Sequence, residues 1–188
     1  MDPYAMGNEA EQADIVIGTH DHIDHLSPAD VRRVADPTRS ILYTPRPTHV
    51  DGFGTTVTVL EELPLKEIYY PDPWEIIEKY GISLEFVPAY NIDKYNPFQP
   101  EQLWHPPWAN WTGVIIDFGN VRVYHTGDTD HIPEMQQYNC DIALMAIDGA
   151  NNAAMMTAEE AAEATESLNI SSNLKYVIPM HYVYPFTF

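Results

Sequence analysis

The chain has 188 residues, 45% of them hydrophobic and 12% aromatic, which is enough apolar surface for one compact domain and too much for a disordered tail. With 28 Asp and Glu against 9 Lys and Arg, the formal net charge is -19, so no surface that neutralises a phosphate backbone is easily assembled and nucleic acid is set aside as a partner. The single cysteine, Cys140, excludes an internal disulfide framework, no apolar run nears the roughly 20 residues of a bilayer crossing, and the acidic start MDPYAMGNEAEQAD lacks an export signal; a soluble, cytoplasmic protein with no membrane partner is expected.

In chain order, Ala13 to Thr19 is a short apolar run ending in a polar cluster, which predicts a buried strand feeding a loop. Ser27-Pro28-Ala29-Asp30 places a hydroxyl at the cap, proline at the first helical position and a carboxylate in the first turn, so a helix begins there. Ser40 to Pro45 and Thr55 to Glu61 are predicted as strands from β-branched content and alternation. Trp74 to Val87 admits a helix after Asp72-Pro73, but Ile82, Leu84 and Phe86 alternate, and a hairpin turning at Gly81 is the preferred reading. A second hairpin runs from Thr112 to Phe118, turns at Gly119-Asn120 and returns from Val121 to His125. Asp141 to Ile147 is another buried strand. Thr157-Ala158-Glu159-Glu160 is a capping box opening an alanine-rich helix to about Leu168, and Leu174 to Met180 is a final apolar strand. This mixture predicts sheet layers covered by helices.

The chemistry concentrates in Thr19-His20-Asp21-His22-Ile23-Asp24-His25, an HxHxDH string placed where a strand ends. Imidazole and carboxylate are the ligands borderline divalent metals prefer, and three imidazoles plus a carboxylate exceed what one tetrahedral ion takes from one loop, so two ions are expected. A lone surface histidine would simply be solvated. Here Asp128, in YHTGDTD, and His181, in IPMHY, stand at the ends of two further strands, and strands of common direction bring such ends to one sheet edge.

The segments THDHIDHL, VPAYN at 87–91, YHTGDTD, MTAEEA at 156–161 and IPMHY together resemble the metallo-β-lactamase superfamily, and more closely its branch that includes ascorbate-phosphate lactonase. They occur in order over nearly the whole chain. The resemblance implies an α+β fold, a four-layer αββα sandwich, in a single domain over 1–188 with a two-metal site on its upper edge. Carried over by motif, His20 and His22 hold the first ion, Asp24 and His25 the second, Asp128 bridges both and His181 completes the second. The third imidazole of the first ion departs from the usual pattern, because Pro88-Ala89-Tyr90 leads into Asn91. His105 is the best replacement, with Asn91 the alternative as an oxygen ligand or an orienting group. His125 is expected to orient the Asp128 loop, His49 and His131 to be solvated, with His131 near enough to that loop to touch substrate. Trp104, Trp108 and Trp111 either line a cleft or pack beneath the loop.

Such a site activates water to hydroxide at neutral pH, and hydrolysis follows. Asp24 is the candidate catalytic residue, passing a proton to the leaving group. Zinc suits the ligand set, with manganese or iron also accepted. The substrate expected is a small ester, lactone or phosphorylated metabolite, since the ions supply a local positive field that the acidic surface lacks. A non-catalytic metal-binding or interaction protein is the alternative. It is motivated by a departure: relatives carry about one strand pair ahead of Asp2-Pro3-Tyr4 and continue past His181. The chain therefore reads as shortened at both ends, or as a short form whose exposed sheet edge another subunit of a homo-oligomer covers.

Overall fold

A computed structural model describes residues 1–7, 10–48, 52, 54–147 and 154–181, which fall into two units, Met1–Asp72 and Pro73–Phe188. In the first unit the chain runs through β1 (Ile15–Ile17), α1 (Pro28–Val34), β2 (Ile41–Tyr43), α2 (Val57–Glu61) and β3 (Glu67–Tyr69). The strands pair in parallel in the order β1-β2-β3, with Ile15 opposite Ile41 and Ile41 opposite Glu67. Central β2 is buried along its length, whereas the edge strand β3 alternates exposed and half-buried residues. α1 begins as the sequence predicts: the Ser27 side chain accepts the Asp30 N–H, and Pro28 needs no partner for the donor it lacks. The core of this unit gathers Val16, Leu26, Val31, Val34, Leu42, Leu60 and Leu63.

The predicted strand at 55–61 is instead helix α2. The Thr56 hydroxyl accepts the Val59 N–H at 3.3 Å, and the helical turn drops Leu60 fully into the core. β-branched content is a weak, context-dependent preference, and a cap plus one buried leucine outweighs it. β3 was not anticipated; Lys66 N–H donates to Ser40 O at 2.9 Å and leads the chain into it.

The second unit contains β4 (Ile76–Lys79), β5 (Ile82–Pro88), β6 (Tyr95–Asn96), β7 (Gln99–Leu103), β8 (Thr112–Asp117), β9 (Arg122–His125), β10 (Ile142–Ala146), α3 (Ala158–Ser171) and β11 (Tyr176–Met180). Six strands form one sheet in the order β11-β10-β9-β8-β5-β4, and β6-β7 stand apart as a small hairpin. The two sequence-predicted hairpins are present. Tyr80 and Gly81 both take positive φ, 51° and 81°, and Gly119 takes 88°, as tight turns that match strand twist require. The capping box of α3 is complete, and the helix extends to Ser171, past the expected end at Leu168. Its Ala161, Ala164 and Leu168 pack with Val87, Ile115, Tyr124, Met135, Tyr138 and Met145 in the core of this unit. β11 forms as predicted, but at the sheet edge, with Tyr176, Val177 and Ile178 exposed. No helix among the described residues is long and apolar enough to cross a membrane.

Strand directions in the second unit decide where its loops emerge. β9, β10 and β11 are parallel, so the chain leaves all three at the same edge. β8 runs antiparallel to β9 and to β5, with Val114 opposite His125 and Pro88 opposite Thr112. The end of β5, the approach to β8, the end of β9 and the end of β11 therefore share one edge.

Candidate metal centre

In the first unit, the loop after β1 is held tightly. Gly18 N–H donates to Tyr43 O at 2.9 Å, and His25 and Leu26 N–H both donate to His22 O, at 3.0 and 2.8 Å. A Cβ on Gly18 would meet Leu26 Cδ1 at 2.9 Å, so any side chain there would force that leucine to shift. The loop folds His20, His22 and His25 into one buried cluster. Ring centroids of His20 and His22 are 4.6 Å apart and those of His20 and His25 4.1 Å, and His20 is 1% exposed. Asp24 lies beside them on the solvent side, its carboxylate 3.7 Å from His25 Nε2.

Asp2, which the sequence reading did not single out, fixes two of these rings. Its carboxylate accepts the Thr19 N–H at 2.8 Å and the Thr19 hydroxyl at 3.0 Å, and faces His25 Nδ1 at 2.9 Å. A carboxylate only accepts, so the His25 proton sits on Nδ1 and Nε2 keeps the ring's lone pair. Thr19, having donated to Asp2, accepts from His20 Nδ1 at 3.1 Å, and that ring too keeps its lone pair on Nε2. Asp21 does other work: it is buried, takes the Thr48 N–H at 2.7 Å, and its carbonyl takes the Thr55 N–H at 2.7 Å.

In the second unit, the shared sheet edge brings together Asn91, His105, Asp128 and His181. Asp128 Oδ2 is 3.5 Å from His105 Nε2 and 3.8 Å from His181 Nε2. The Asn91 side-chain carbonyl accepts from the His105 backbone N–H at 2.9 Å and faces His105 Nδ1 at 2.8 Å. Ala154 O lies 3.2 Å from the same Nδ1 and takes the Asn91 amide at 2.9 Å. His105 Nδ1 therefore donates, and Nε2 turns its lone pair toward Asp128. Trp111, 2% exposed, packs edge-on against the His105 ring at 5.4 Å. His181 holds a left-handed φ of 61°, a strained conformation for a non-glycine residue that concentrates at functional sites.

The neighbouring loops are cross-tied. His125 Nδ1 accepts the Gly127 N–H at 3.2 Å, shaping the turn into Asp128 as the sequence suggested. His131 instead faces α3, with Nε2 2.8 Å from the Ser167 hydroxyl. The Tyr90 hydroxyl donates to both Glu134 oxygens, at 3.1 and 2.9 Å; burial, then that carboxylate, pushes its pKa up to about 12. Trp108 is exposed and Trp104 half-buried. His49 lies outside the described residues.

Both units present donor types that borderline divalent ions take. Two ligands on one tetrahedral ion, with bonds of about 2.0–2.1 Å, lie roughly 3.3 Å apart. The convergence of His20 Nε2 and His22 Nδ1 at 3.0 Å, and of Asp128 Oδ2 on His105 at 3.5 Å, sits at that spacing. Each unit thus holds a pair of donors at the spacing of two ligands on one ion.

A UPF0173 metal-dependent hydrolase of Pyrococcus furiosus is 27% identical over 203 residues, covering 97% of this chain and 76% of the relative. A crystal structure of a Parabacteroides distasonis protein assigned as a metal-dependent hydrolase superposes with a TM-score of 0.73 at 27% identity, covering 96% of this chain and 72% of that one. The metallo-β-lactamase fold protein YhfI of Bacillus subtilis gives 0.61 at 15% identity, over 90% and 64% of the two chains, and supports the fold alone. The fold class is accordingly α+β, of the metallo-β-lactamase kind. A profile of the β-lactamase superfamily domain matches residues 2–182, and with that match the chain belongs to the β-lactamase superfamily.

Proposed function

We propose that the chain is a metal-dependent hydrolase, working as a single domain over 1–188 on a small ester, lactone or phosphorylated metabolite. In this reading His20, His22 and His105 would hold one ion and Asp24, His25 and His181 a second, with Asp128 as a ligand to both; zinc suits the nitrogen-rich set, and manganese or iron would also be accepted. The observation that carries it is the Asp128 carboxylate oxygen flanked by the imidazoles of His105 and His181. A carboxylate between two imidazoles, each presenting a nitrogen to it, is what a shared ligand needs. When bound, the ions activate water and polarise the oxygen of the scissile bond.

The chain's own residues do the rest. The buried rings of His20, His25 and His105 enter with their tautomers already set by Thr19, Asp2 and Asn91, so no reorganisation is needed to offer lone pairs. Asp24, half exposed at the side of the cluster, holds the proton that passes to the leaving group. The substrate classes follow from the charge: with -19 overall, a polyanion is repelled at long range, while a single phosphate or carboxylate is compatible with a cationic centre. The superfamily branch of ascorbate-phosphate lactonase fits these classes, as does a cytoplasmic setting.

The test is metal analysis of the purified chain with a hydrolysis panel of esters, lactones and phosphoesters. About two ions per chain with turnover is the expected result, and Asp24→Ala should lower turnover about 100-fold or more with unchanged circular dichroism. A chain that binds no divalent ion defeats the proposal. Two bound ions without turnover across the panel would favour a metal-binding protein with no catalysis.

A further inference from the structure

Lys94 is 6% exposed, in a chain with only 9 Lys and Arg. Its ammonium lies 2.9 Å from Glu160 Oε1, 3.1 Å from Asp130 Oδ1 and 3.1 Å from Asp93 Oδ1. Burial alone would lower its pKa, but the bonds to Glu160, Asp130 and Asp93 carry it above the ordinary lysine range. It is a fixed positive charge at every working pH.

Its place in the chain is specific. Lys94 O accepts the Trp104 N–H at 3.0 Å, one residue ahead of His105, and Asn91 N–H donates to His105 O at 2.7 Å. The segment 90–94 is therefore the strip against which the approach to His105 is laid. On its other side the same segment meets the Asp128 loop. Ile92 N–H donates to Asp130 Oδ2 at 2.7 Å, Tyr90 N–H to the Thr129 hydroxyl at 3.1 Å, and Asp130 N–H to Tyr90 O at 2.9 Å. Asp130 thus accepts from the strip's backbone with one oxygen and is ion-paired with the Lys94 ammonium through the other. Glu160, the third carboxylate, is the capping-box residue of α3, so the same ammonium also anchors the start of that helix.

We propose that Lys94 is a positioning residue for metal binding by the second unit: it clamps the 90–94 strip to the Asp128 loop and thereby sets the His105 to Asp128 spacing. This rests on the metal-binding role argued above for those two side chains. It assigns no contact between Lys94 and the ion or substrate.

Charge and position make opposite demands, which gives the test its sign. Lys94→Met removes a positive charge near a cation site, so Coulomb's law alone calls for tighter metal binding. Loss of the clamp calls for weaker binding, because misplaced ligands cost about 10–100-fold in affinity. Zinc affinity is measured on the full chain by competition with a chromophoric chelator, well below the melting temperature, with thermal unfolding of the metal-free protein alongside. The expected result is a zinc dissociation constant raised about tenfold or more. Lys94→Gln is shorter and brings two N–H donors to three carboxylates, so the three-way clamp is still broken; it stands in if the methionine variant does not fold, and the same weakening is expected. Unchanged or tighter zinc binding, with only a lowered melting temperature, makes Lys94 a merely structural residue and overturns the proposal. A wild-type chain that binds no zinc would instead defeat the underlying function.

Discussion

Asn91 does for His105 what Asp2 does for His25: each places an acceptor on Nδ1 and so leaves the lone pair on Nε2. The sequence offered Asn91 as a rival ligand or an orienting group. In the structure its side-chain carbonyl is spent on the His105 backbone and ring, and its amide on Ala154 O. Asn91→Ala should therefore weaken zinc binding about 10–100-fold. Asn91→Asp keeps the acceptor and should recover most of that loss; equal losses in the two variants would show that the orienting bond is not what matters. Asp2 escaped sequence reading because nothing near it in the chain marks it. Its partners Thr19 and His25 reach it because Asp2 N–H donates to Ile17 O and Ser27 N–H to Pro3 O, which lays the amino terminus beside the end of β1.

At the level of elements, β8 and β9 illustrate how a strand pair controls a loop. Gly113 sits where β8 meets the end of β9, and a Cβ there would lie 2.7 Å from His125 O and 2.8 Å from Thr126 O. Both contacts are backbone, so neither can swing aside. Gly113→Ala should cost about 1–3 kcal/mol of stability, as overpacking does, and should displace the Asp128 loop; urea unfolding and zinc titration measure the two effects. The reading of elements succeeded where local chemistry is decisive. The Gly119 turn, the Ser27 cap with Pro28 and the Thr157–Glu160 box each carry their geometry in adjacent residues. It failed at 55–61, where alternation in Thr-Val-Thr-Val mimics a strand and only the burial of Leu60 selects the helix. It also missed the β6-β7 hairpin, whose residues are mostly exposed and so carry no apolar period.

For the whole molecule, carboxylates held below their ordinary pKa make stability dependent on pH in a defined direction. Asp30 is buried; burial would raise its pKa, but Ser27, the Met6 and Ala5 N–H groups and Arg33 together lower it. Glu160 is likewise lowered despite burial, by the Thr157 N–H and Lys94. Asp36 is lowered by the Thr38 hydroxyl and backbone, and Asp141 by Lys175 and the Arg122 N–H. A carboxylate whose folded pKa lies below its unfolded value stabilises the fold above the unfolded value, and that contribution disappears as pH falls through the folded one. The metal-free protein should therefore melt at a lower temperature near pH 3 than near pH 7. Asp30→Asn should shrink the difference, and a melting temperature flat across that range would contradict the assignment.

By itself the sequence determined which donors exist and that each stands where a strand ends, because the HxHxDH loop, GDTD and the IPMH segment are local and their residue types alone dictate ligand chemistry. It also determined the turns and caps, which need only neighbours a few residues away. What the tertiary structure alone decided is which partner holds each ring. The pairing of β5, β8, β9 and β11 brings Asn91, His105, Asp128 and His181 to one edge, and the amino terminus folding back on β1 gives His25 its carboxylate. The physical reason is that an imidazole's usable nitrogen is set by a hydrogen bond on its other side, and that bond comes from residues the chain brings close only by folding.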